Sequence, residues 1–147
     1  MAIDRSGEWW IGDDPDDIDE YVAAYGSGDG SAQVVVHATC ARCAGIEFVL
    51  EVDDLEGCAV RTCSSCGARQ PMLDSADHVD DAELEKVECP TCGAKVFNVA
   101  VGFELRDGSD DVRWVYLQLR CVEDGVLGCR ADWNIDYGPS GHLLSAV

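Results

Sequence analysis

The sequence predicts a mostly β fold in which one short N-terminal helix precedes two small antiparallel units. Three observations lead to this expectation. A helical pattern is confined to the first 26 residues, short apolar segments alternate with turns from residue 32 onward, and a shift of 49 residues superimposes part of the chain on itself. We therefore divide the 147 residues into an N-terminal segment with a Gly/Ser linker (1–31), a first unit (32–74), an acidic linker (75–85) and a second unit with a tail (86–147).

The N-terminal segment contains one helical pattern, "DDPDDIDEYVAAYG", over residues 13–26. Asp14 can cap this helix and Pro15 fits its first turn, because proline lacks the amide hydrogen that a helix leaves unused there. Ile18 and Val22 are four residues apart and therefore share one face. We expect a short helix that buries this face.

Alternating apolar residues predict strands before and after each cysteine pair. The predicted strands are 32–39, 46–52, 58–62 and 68–73 in the first unit and 86–88, 95–105, 112–120 and 126–135 in the second. The shift of 49 places Cys40 on Cys89 and Phe48 on Phe97, but Cys63 meets Cys121 only after a shift of 58. The second hairpin therefore carries about nine extra residues, which longer strands around the turn at 106–111 would absorb.

The first unit holds two tight cysteine pairs, Cys40 and Cys43 in "CARC" and Cys63 and Cys66 in "CSSC", with nineteen residues between the pairs. This spacing is typical of a zinc site, because two turns brought together by strands present four thiolates in the tetrahedral array that zinc favours. A glycine follows each pair and permits the backbone conformation that the turn requires. We predict that these four cysteines bind one Zn²⁺.

The second unit supplies three evident ligands for another Zn²⁺, Cys89 and Cys92 in "CPTC" and then Cys121. Two residues compete for the fourth place. Asp124 occupies the position of the missing cysteine, whereas Cys129 is the softer ligand and could reach the site across a hairpin. We prefer Cys129 on this chemistry. A third alternative is a metal-free unit held by aromatic packing of Phe97, Phe103, Trp114 and Tyr116.

With these motifs, both units resemble zinc ribbons, and "ECPTCG" is the commonest form of the zinc-ribbon knuckle. The resemblance covers about residues 33–135 and implies two small antiparallel sheets, each clamped by Zn²⁺. It implies no particular activity. The whole chain is also similar to acidic bacterial proteins with this double pattern. Because small ribbons bury little apolar surface, we expect folding to depend on metal.

The remaining reactive side chains do not form a catalytic motif. Cys58 is interpreted as a small buried residue near the first site, since unpaired cysteines are among the most buried residues. His37 is interpreted as a strand residue, and His142 lies in the tail. The sequence lacks H-E-x-x-H, a P-loop and G-x-S-x-G. We expect no catalytic residues and no enzyme activity.

The charge of the chain is extreme, with 29 acidic and 10 basic residues and a net charge of −19. Such a surface repels nucleic acid and anionic membranes and attracts basic proteins, although an acidic proteome would give the same composition. The acidic candidates for partner contacts are Asp13, Asp14, Asp16, Asp17, Asp19, Asp80, Asp81, Asp110 and Asp111. No apolar run approaches the roughly 20 residues that span a bilayer, and no secretion signal is evident. We therefore expect a cytoplasmic protein without membrane contact.

Three functions remain open from the sequence. The first is a non-catalytic binding module, such as an immunity protein or inhibitor that masks a basic toxin or nuclease. The second is a ribbon adaptor in transcription or translation that touches nucleic acid through arginines near the knuckles, Arg42, Arg61, Arg69, Arg120 and Arg130. The third is a zinc enzyme with an open second site. Four aromatic residues, Trp9, Trp10, Trp133 and Tyr137, either mark a partner face or cover the ribbons.

Overall fold

The structure is a computed structural model. It describes residues 3–4, 6–25, 34–53, 55, 57–106, 108–109, 111–135 and 139–147, with the side chains of residues 23–25 left out. The predicted Gly/Ser linker, Asp110 and Tyr137 lie outside the described residues. None of the helices formed by the described residues has the length and apolar character needed to cross a membrane.

The predicted N-terminal helix is present as α1, Asp17–Tyr25. It begins four residues later than the pattern suggests, because residues 13–16 form a turn. The Asp17 carboxylate accepts the backbone amide of Asp13 at 2.7 Å and that of Asp14 at 3.3 Å. Ile18 and Val22 are buried on the face that the periodicity predicts.

Each predicted strand segment overlaps a strand, although the fifth strand shares only Lys86 with its predicted segment. In chain order they are β1 (Val34–His37), β2 (Phe48–Asp53), β3 (Cys58–Cys63), β4 (Arg69–Pro71), β5 (Glu85–Lys86), β6 (Val96–Leu105), β7 (Val112–Cys121) and β8 (Leu127–Asn134). Short 3₁₀ turns occupy Ser75–Asp77 in the predicted acidic linker and Gly141–Ser145 after β8. The extra residues of the second unit lengthen its hairpin, since β6 and β7 have ten residues each while β2 and β3 have six.

All the described strands join one antiparallel sheet with the order β4-β3-β2-β6-β7-β8. The two hairpins meet where β2 pairs with β6, and there Phe48 lies opposite Phe97. The sheet therefore runs without interruption across the predicted boundary between the units.

The first strand of each unit pairs with the other unit. Strand β1 lies on β6 with His37 opposite Ala100, and β5 lies on β2 with Lys86 opposite Glu51. These two pairings are equivalent under the shift of 49 residues. The duplicated sequence therefore folds with an internal two-fold arrangement, as two protomers of a symmetric dimer would.

The two faces of the sheet are covered differently. Phe97, Val99, Val101 and Phe103 alternate along β6 into the main core. Ala100 points to the opposite face, where Ile18, Val22 and Leu127 form a second small cluster under α1. This alternation follows from the period of two residues in a strand.

Candidate metal centres

Four tight turns in the chain share one backbone geometry. In each, the amide of the fifth residue donates to the carbonyl of the first: Ala44 to Cys40, Gly67 to Cys63, Gly93 to Cys89 and Gly125 to Cys121, at 2.8–2.9 Å. These fifth residues have positive φ values of 63°, 77°, 75° and 78°. The turn that begins at Cys121 is therefore a complete knuckle, although an aspartate stands where the others have their second cysteine.

The first centre brings together all four predicted cysteines. The sulfur atoms of Cys40 and Cys66 are 3.6 Å apart, and those of Cys43 and Cys63 are 3.5 Å apart. Sulfurs about 2.3 Å from a tetrahedral zinc ion lie roughly 3.8 Å from one another, whereas a disulfide requires about 2.05 Å. The spacing fits four ligands around a metal ion.

The second centre repeats this arrangement with one different donor. The sulfurs of Cys92 and Cys121 are 3.6 Å apart, and both carboxylate oxygens of Asp124 lie 3.5 Å from the Cys89 sulfur. The donor atoms of the four residues all lie within 4.8 Å of one another. Asp124 thus occupies the place that Cys66 occupies in the first centre.

Two hydrogen bonds fix the Asp124 carboxylate. The Thr91 hydroxyl donates to Oδ2, and the backbone amide of Val126 donates to Oδ1 at 3.2 Å. Burial raises the pKa of this carboxyl, but these bonds, together with those from the Cys121 and Cys89 thiols, outweigh burial and lower the pKa to about 2. The side chain is therefore ionised and oriented as a metal ligand must be. Cysteine spacing alone does not reveal the role of Thr91, although a hydroxyl two residues after Cys89 indicates a side chain within reach of the metal site.

Cys129 is not part of the second centre, which corrects our preference for it as the fourth ligand. A β-bulge between Leu117 and Gln118 sets the register so that Cys129 lies opposite Gln118. Paired residues point to the same face of a sheet, and Gln118 and Cys121 are three positions apart on β7, so they point to opposite faces. The Cys129 sulfur contacts the Ala131 carbonyl at 3.6 Å instead.

The donor chemistry of both centres fits a divalent metal ion. Each cluster combines two buried cysteines with two more accessible donors, and neither includes a histidine. Backbone amides of Cys43 and Arg42 lower the pKa of the Cys40 thiol to about 6, whereas burial raises the pKa of the Cys121 thiol to about 12. Metal binding would have to displace the remaining thiol protons.

Buried Arg61 lies beside the first centre. Its guanidinium donates to the carbonyl of Val147 at 3.0 Å and stacks 4.8 Å above the ring of Phe48. Burial lowers the pKa of Arg61, and the nearby charges of Cys40 and Cys63 raise it. An arginine here offsets the negative charge of the thiolates, a role that the sequence did not suggest.

Other residues singled out in the sequence serve the fold. Cys58 is fully buried, as expected, but it begins β3 at the opposite end from Cys63 and so does not lie beside the first centre. His37 pairs with Asp19 at 2.6 Å and so ties β1 to α1. Trp10 meets Tyr21 edge to face at 5.6 Å, and Trp133 lies against Gly57. Trp9, by contrast, is 40% exposed.

Comparison with protein-family models, with curated proteins and with solved structures finds no match to this chain.

Proposed function

We propose that the chain is a zinc-stapled binding module with two structural Zn²⁺ ions. The observation that carries this proposal is the equivalence of the two donor clusters, each of which has four protein donors at tetrahedral spacing. Centres closed by four protein ligands are typical of structural zinc, while catalytic zinc keeps a position for water. Thiolate-rich donor sets also favour zinc over the harder divalent cations.

The bound ions would act as Lewis acids that hold thiolates and carboxylate together. The first centre joins the turn before β2 to the turn between β3 and β4, and the second joins the equivalent turns before β6 and between β7 and β8. Each centre thus fastens the ends of three strands. This gives a rigid surface on a chain with a short helix and small strands.

We propose further that this surface binds a basic protein. Beyond the net charge of −19, a groove of about 450 Å³ is lined by four acidic residues and one basic residue, namely Asp53, Asp81, Glu83, Glu85 and Arg130. Asp53 accepts the amides of Leu55 and Glu83 and so shapes the groove, while the other three carboxylates are exposed. Leu55 stands at the groove with 98% of its surface exposed. An exposed apolar residue can contact the aliphatic part of a lysine or arginine side chain, and the surrounding carboxylates can pair with its charged end.

The acidic run at the start of α1 offers a second surface. Asp13, Asp14 and Asp16 are exposed there, and so is Asp19, although its carboxylate is paired with His37 at 2.6 Å. Two other acidic candidates from the sequence are used internally, because Asp17 accepts backbone amides and Asp111 accepts the amide of Ser140 at 2.8 Å. The groove is the better candidate, since its carboxylates converge on one concavity.

The contacts of the arginines within the fold favour a protein partner over nucleic acid. Arg61 is buried, and Arg120 donates to the backbone of Gly12 and Asp13 and to Asn98. These two guanidiniums are therefore engaged within the fold. Of the other three arginines near the knuckles, Arg42 and Arg69 are exposed and Arg130 lies at the acidic groove. Phosphate binding needs accessible positive charge, and the chain has 29 acidic residues against 10 basic ones. An inhibitor or immunity protein that masks a basic nuclease or toxin is the form of this proposal that the charge best supports.

Two measurements test the proposal. Elemental analysis of the purified chain should find two zinc ions per molecule. A partner captured on the immobilised chain should then be titrated calorimetrically with the wild type and with a groove variant, Asp81→Asn with Glu83→Gln and Glu85→Gln. We expect the groove variant to bind at least about tenfold more weakly at low salt.

The matched control removes the same charge elsewhere, through Asp77→Asn with Glu88→Gln and Glu123→Gln, all of which are exposed. It should retain most of the affinity. Equal losses in the two variants would show that total charge and not the groove governs binding. A chain purified without zinc would contradict the structural-zinc part of the proposal.

A further inference from the structure

The two centres differ in a single donor. In each centre, the last donor of the second knuckle lies beside the first cysteine of the first knuckle. The sulfurs of Cys66 and Cys40 are 3.6 Å apart, and the Asp124 oxygens lie 3.5 Å from the Cys89 sulfur. The order of buried and accessible donors is also the same. The exchange of a thiolate for a carboxylate is therefore the main difference between the donor sets, and buried Arg61 beside the first centre alone is a second difference between the centres.

A carboxylate is the harder and weaker ligand for a metal that prefers sulfur. In this chain its oxygens are also shared with two hydrogen-bond donors, Thr91 and the amide of Val126. These donors hold Asp124 in the orientation in which it can bind a metal ion. Because the differing donor is the weaker one, the second centre should release its metal ion more readily than the first, and the turn that carries Asp124 would then lose its tie to Cys89 and Cys92.

The turn that carries Asp124 also holds the N-terminal segment. The Gly12 amide donates to the Gly125 carbonyl at 2.8 Å, and the Leu127 amide donates to the Trp10 carbonyl at 2.8 Å. The contact is close, because a β-carbon on Gly125 would collide with the carbonyl oxygen of Gly12. At the first centre the equivalent residue, Gly67, faces open space.

We infer that the second centre is an exchangeable, regulatory metal site whose occupancy controls the docking of the N-terminal segment. This inference rests on the proposed function, because it assumes that both clusters bind Zn²⁺. Loss of metal would leave the Cys121–Gly125 turn without its tie to Cys89 and Cys92. The same turn supplies the Gly125 carbonyl on which Gly12 rests, so its loosening weakens the attachment of Trp10 and Gly12.

The test exchanges the differing donor between the centres. Zinc-loaded wild-type chain, Asp124→Cys and Cys66→Asp are each mixed with excess chromophoric chelator, and zinc transfer is followed with time. Total zinc is measured by elemental analysis. Hydrogen exchange at the Gly12 and Leu127 amides, followed in parallel, reports the docking of the N-terminal segment.

We expect the wild type to lose the ion of the second centre at least about tenfold faster than the ion of the first. Changes in the groups around a bound metal commonly alter its affinity by this much. Asp124→Cys should abolish the fast phase, and Cys66→Asp should make both phases fast. Protection at Gly12 and Leu127 should fall with the fast phase in the wild type and persist through the same interval in Asp124→Cys.

A milder pair of variants keeps the inference testable if a donor exchange impairs folding. Thr91→Val should accelerate the fast phase by roughly tenfold and leave the slow phase unchanged. Ser65→Ala, an exposed hydroxyl in the first centre, is the control and should change neither phase.

Two ions released at one common rate, or a fast phase that persists in Asp124→Cys, would overturn the inference while the zinc-stapled function stands. Unchanged protection at Gly12 during the fast phase would overturn the coupling to the N-terminal segment. A chain that binds no zinc would overturn the proposed function itself, and the inference with it.

Discussion

Phe48 lies directly opposite Phe97 where β2 pairs with β6, although the two residues occupy the same position in successive repeats. A residue that pairs with its own repeat mate marks the internal two-fold axis of the sheet. Both rings are buried, and Arg61 stacks on Phe48 from the side of the first centre. The junction between the units is therefore a packed core and not a linker contact.

Truncation at this junction should be costly. We expect Phe48→Ala to lower the free energy of unfolding by about 3–5 kcal/mol, because it opens a cavity and removes the ring beneath Arg61. Urea unfolding of the zinc-loaded chain measures the change. Ile46→Ala, at a position 47% exposed, is the control and should cost less than about 1 kcal/mol. Similar losses in both variants would contradict the packing of the junction.

The positive φ of the knuckles can be tested in isolation at Gly93. No atom lies within 4 Å of a β-carbon built there, so Gly93→Ala introduces backbone strain without a collision. We expect a loss of about 1–2 kcal/mol in unfolding free energy. Gly128→Ala, which also meets open space but has no positive φ, is the control and should be nearly neutral. A neutral Gly93→Ala would argue against the shared turn geometry.

In the first knuckle, a residue other than glycine occupies the position with positive φ. Ala44 has a φ of 63°, whereas the equivalent position is glycine in the other three knuckles. The glycine anticipated after this knuckle from the sequence, Gly45, lies one residue too late. We therefore expect Ala44→Gly to stabilise the chain by roughly 0.5–1 kcal/mol, the relief of strain less the entropy that glycine loses. Thermal unfolding of the loaded protein is the measurement, and destabilisation would show that the Ala44 methyl group makes a contact that outweighs the strain.

Arg120 should anchor the N-terminal segment. Its guanidinium donates to the carbonyls of Gly12 and Asp13 at 2.9 Å and to Asn98 at 3.0 Å. We expect Arg120→Met to cost about 2–4 kcal/mol, because three charge-assisted bonds are lost, and to accelerate exchange of the Gly12 amide. Arg120→Lys should not restore protection, since an ammonium cannot form the same fork.

The control for Arg120 is Arg113→Met on the same strand. Arg113 is paired with Glu104 at 3.2 Å, but 62% of its side chain is exposed. Its loss should cost less than the loss of Arg120, because the Tyr116 hydroxyl still donates to Glu104 at 3.3 Å, and it should leave Gly12 protected. Equal effects of the two substitutions would mean that the contacts of Arg120 do not hold the segment.

Removal of metal should lower the stability of the whole sheet. Chelation leaves up to seven thiols and one carboxylate crowded in two clusters, without the ions that join their knuckles. We expect the unfolding temperature to fall by roughly 10 °C or more. The same chelator presaturated with zinc is the control, and an unchanged unfolding temperature would show that the apolar core alone maintains the fold.

Local patterns in the sequence determined most of the elements. The C-x-x-C spacing identified six of the eight candidate donors, because a knuckle is closed by hydrogen bonds within five consecutive residues, and the repeat added Cys121. The strands followed from alternation, and the buried face of α1 followed from Ile18 and Val22. The shift of 49 residues revealed the duplication. Each of these features depends on contacts between residues close in the chain.

Tertiary structure decided the rest. Whether Asp124 or Cys129 completes the second centre depends on the bulge at Leu117 and Gln118, which sets the face on which Cys129 lies. The exchange of β1 and β5 between the units, and the burial of Arg61 against Phe48, depend on pairings between residues distant in sequence. These features depend on strand register and on packing across the sheet, and the spacing of residues along the chain does not determine them.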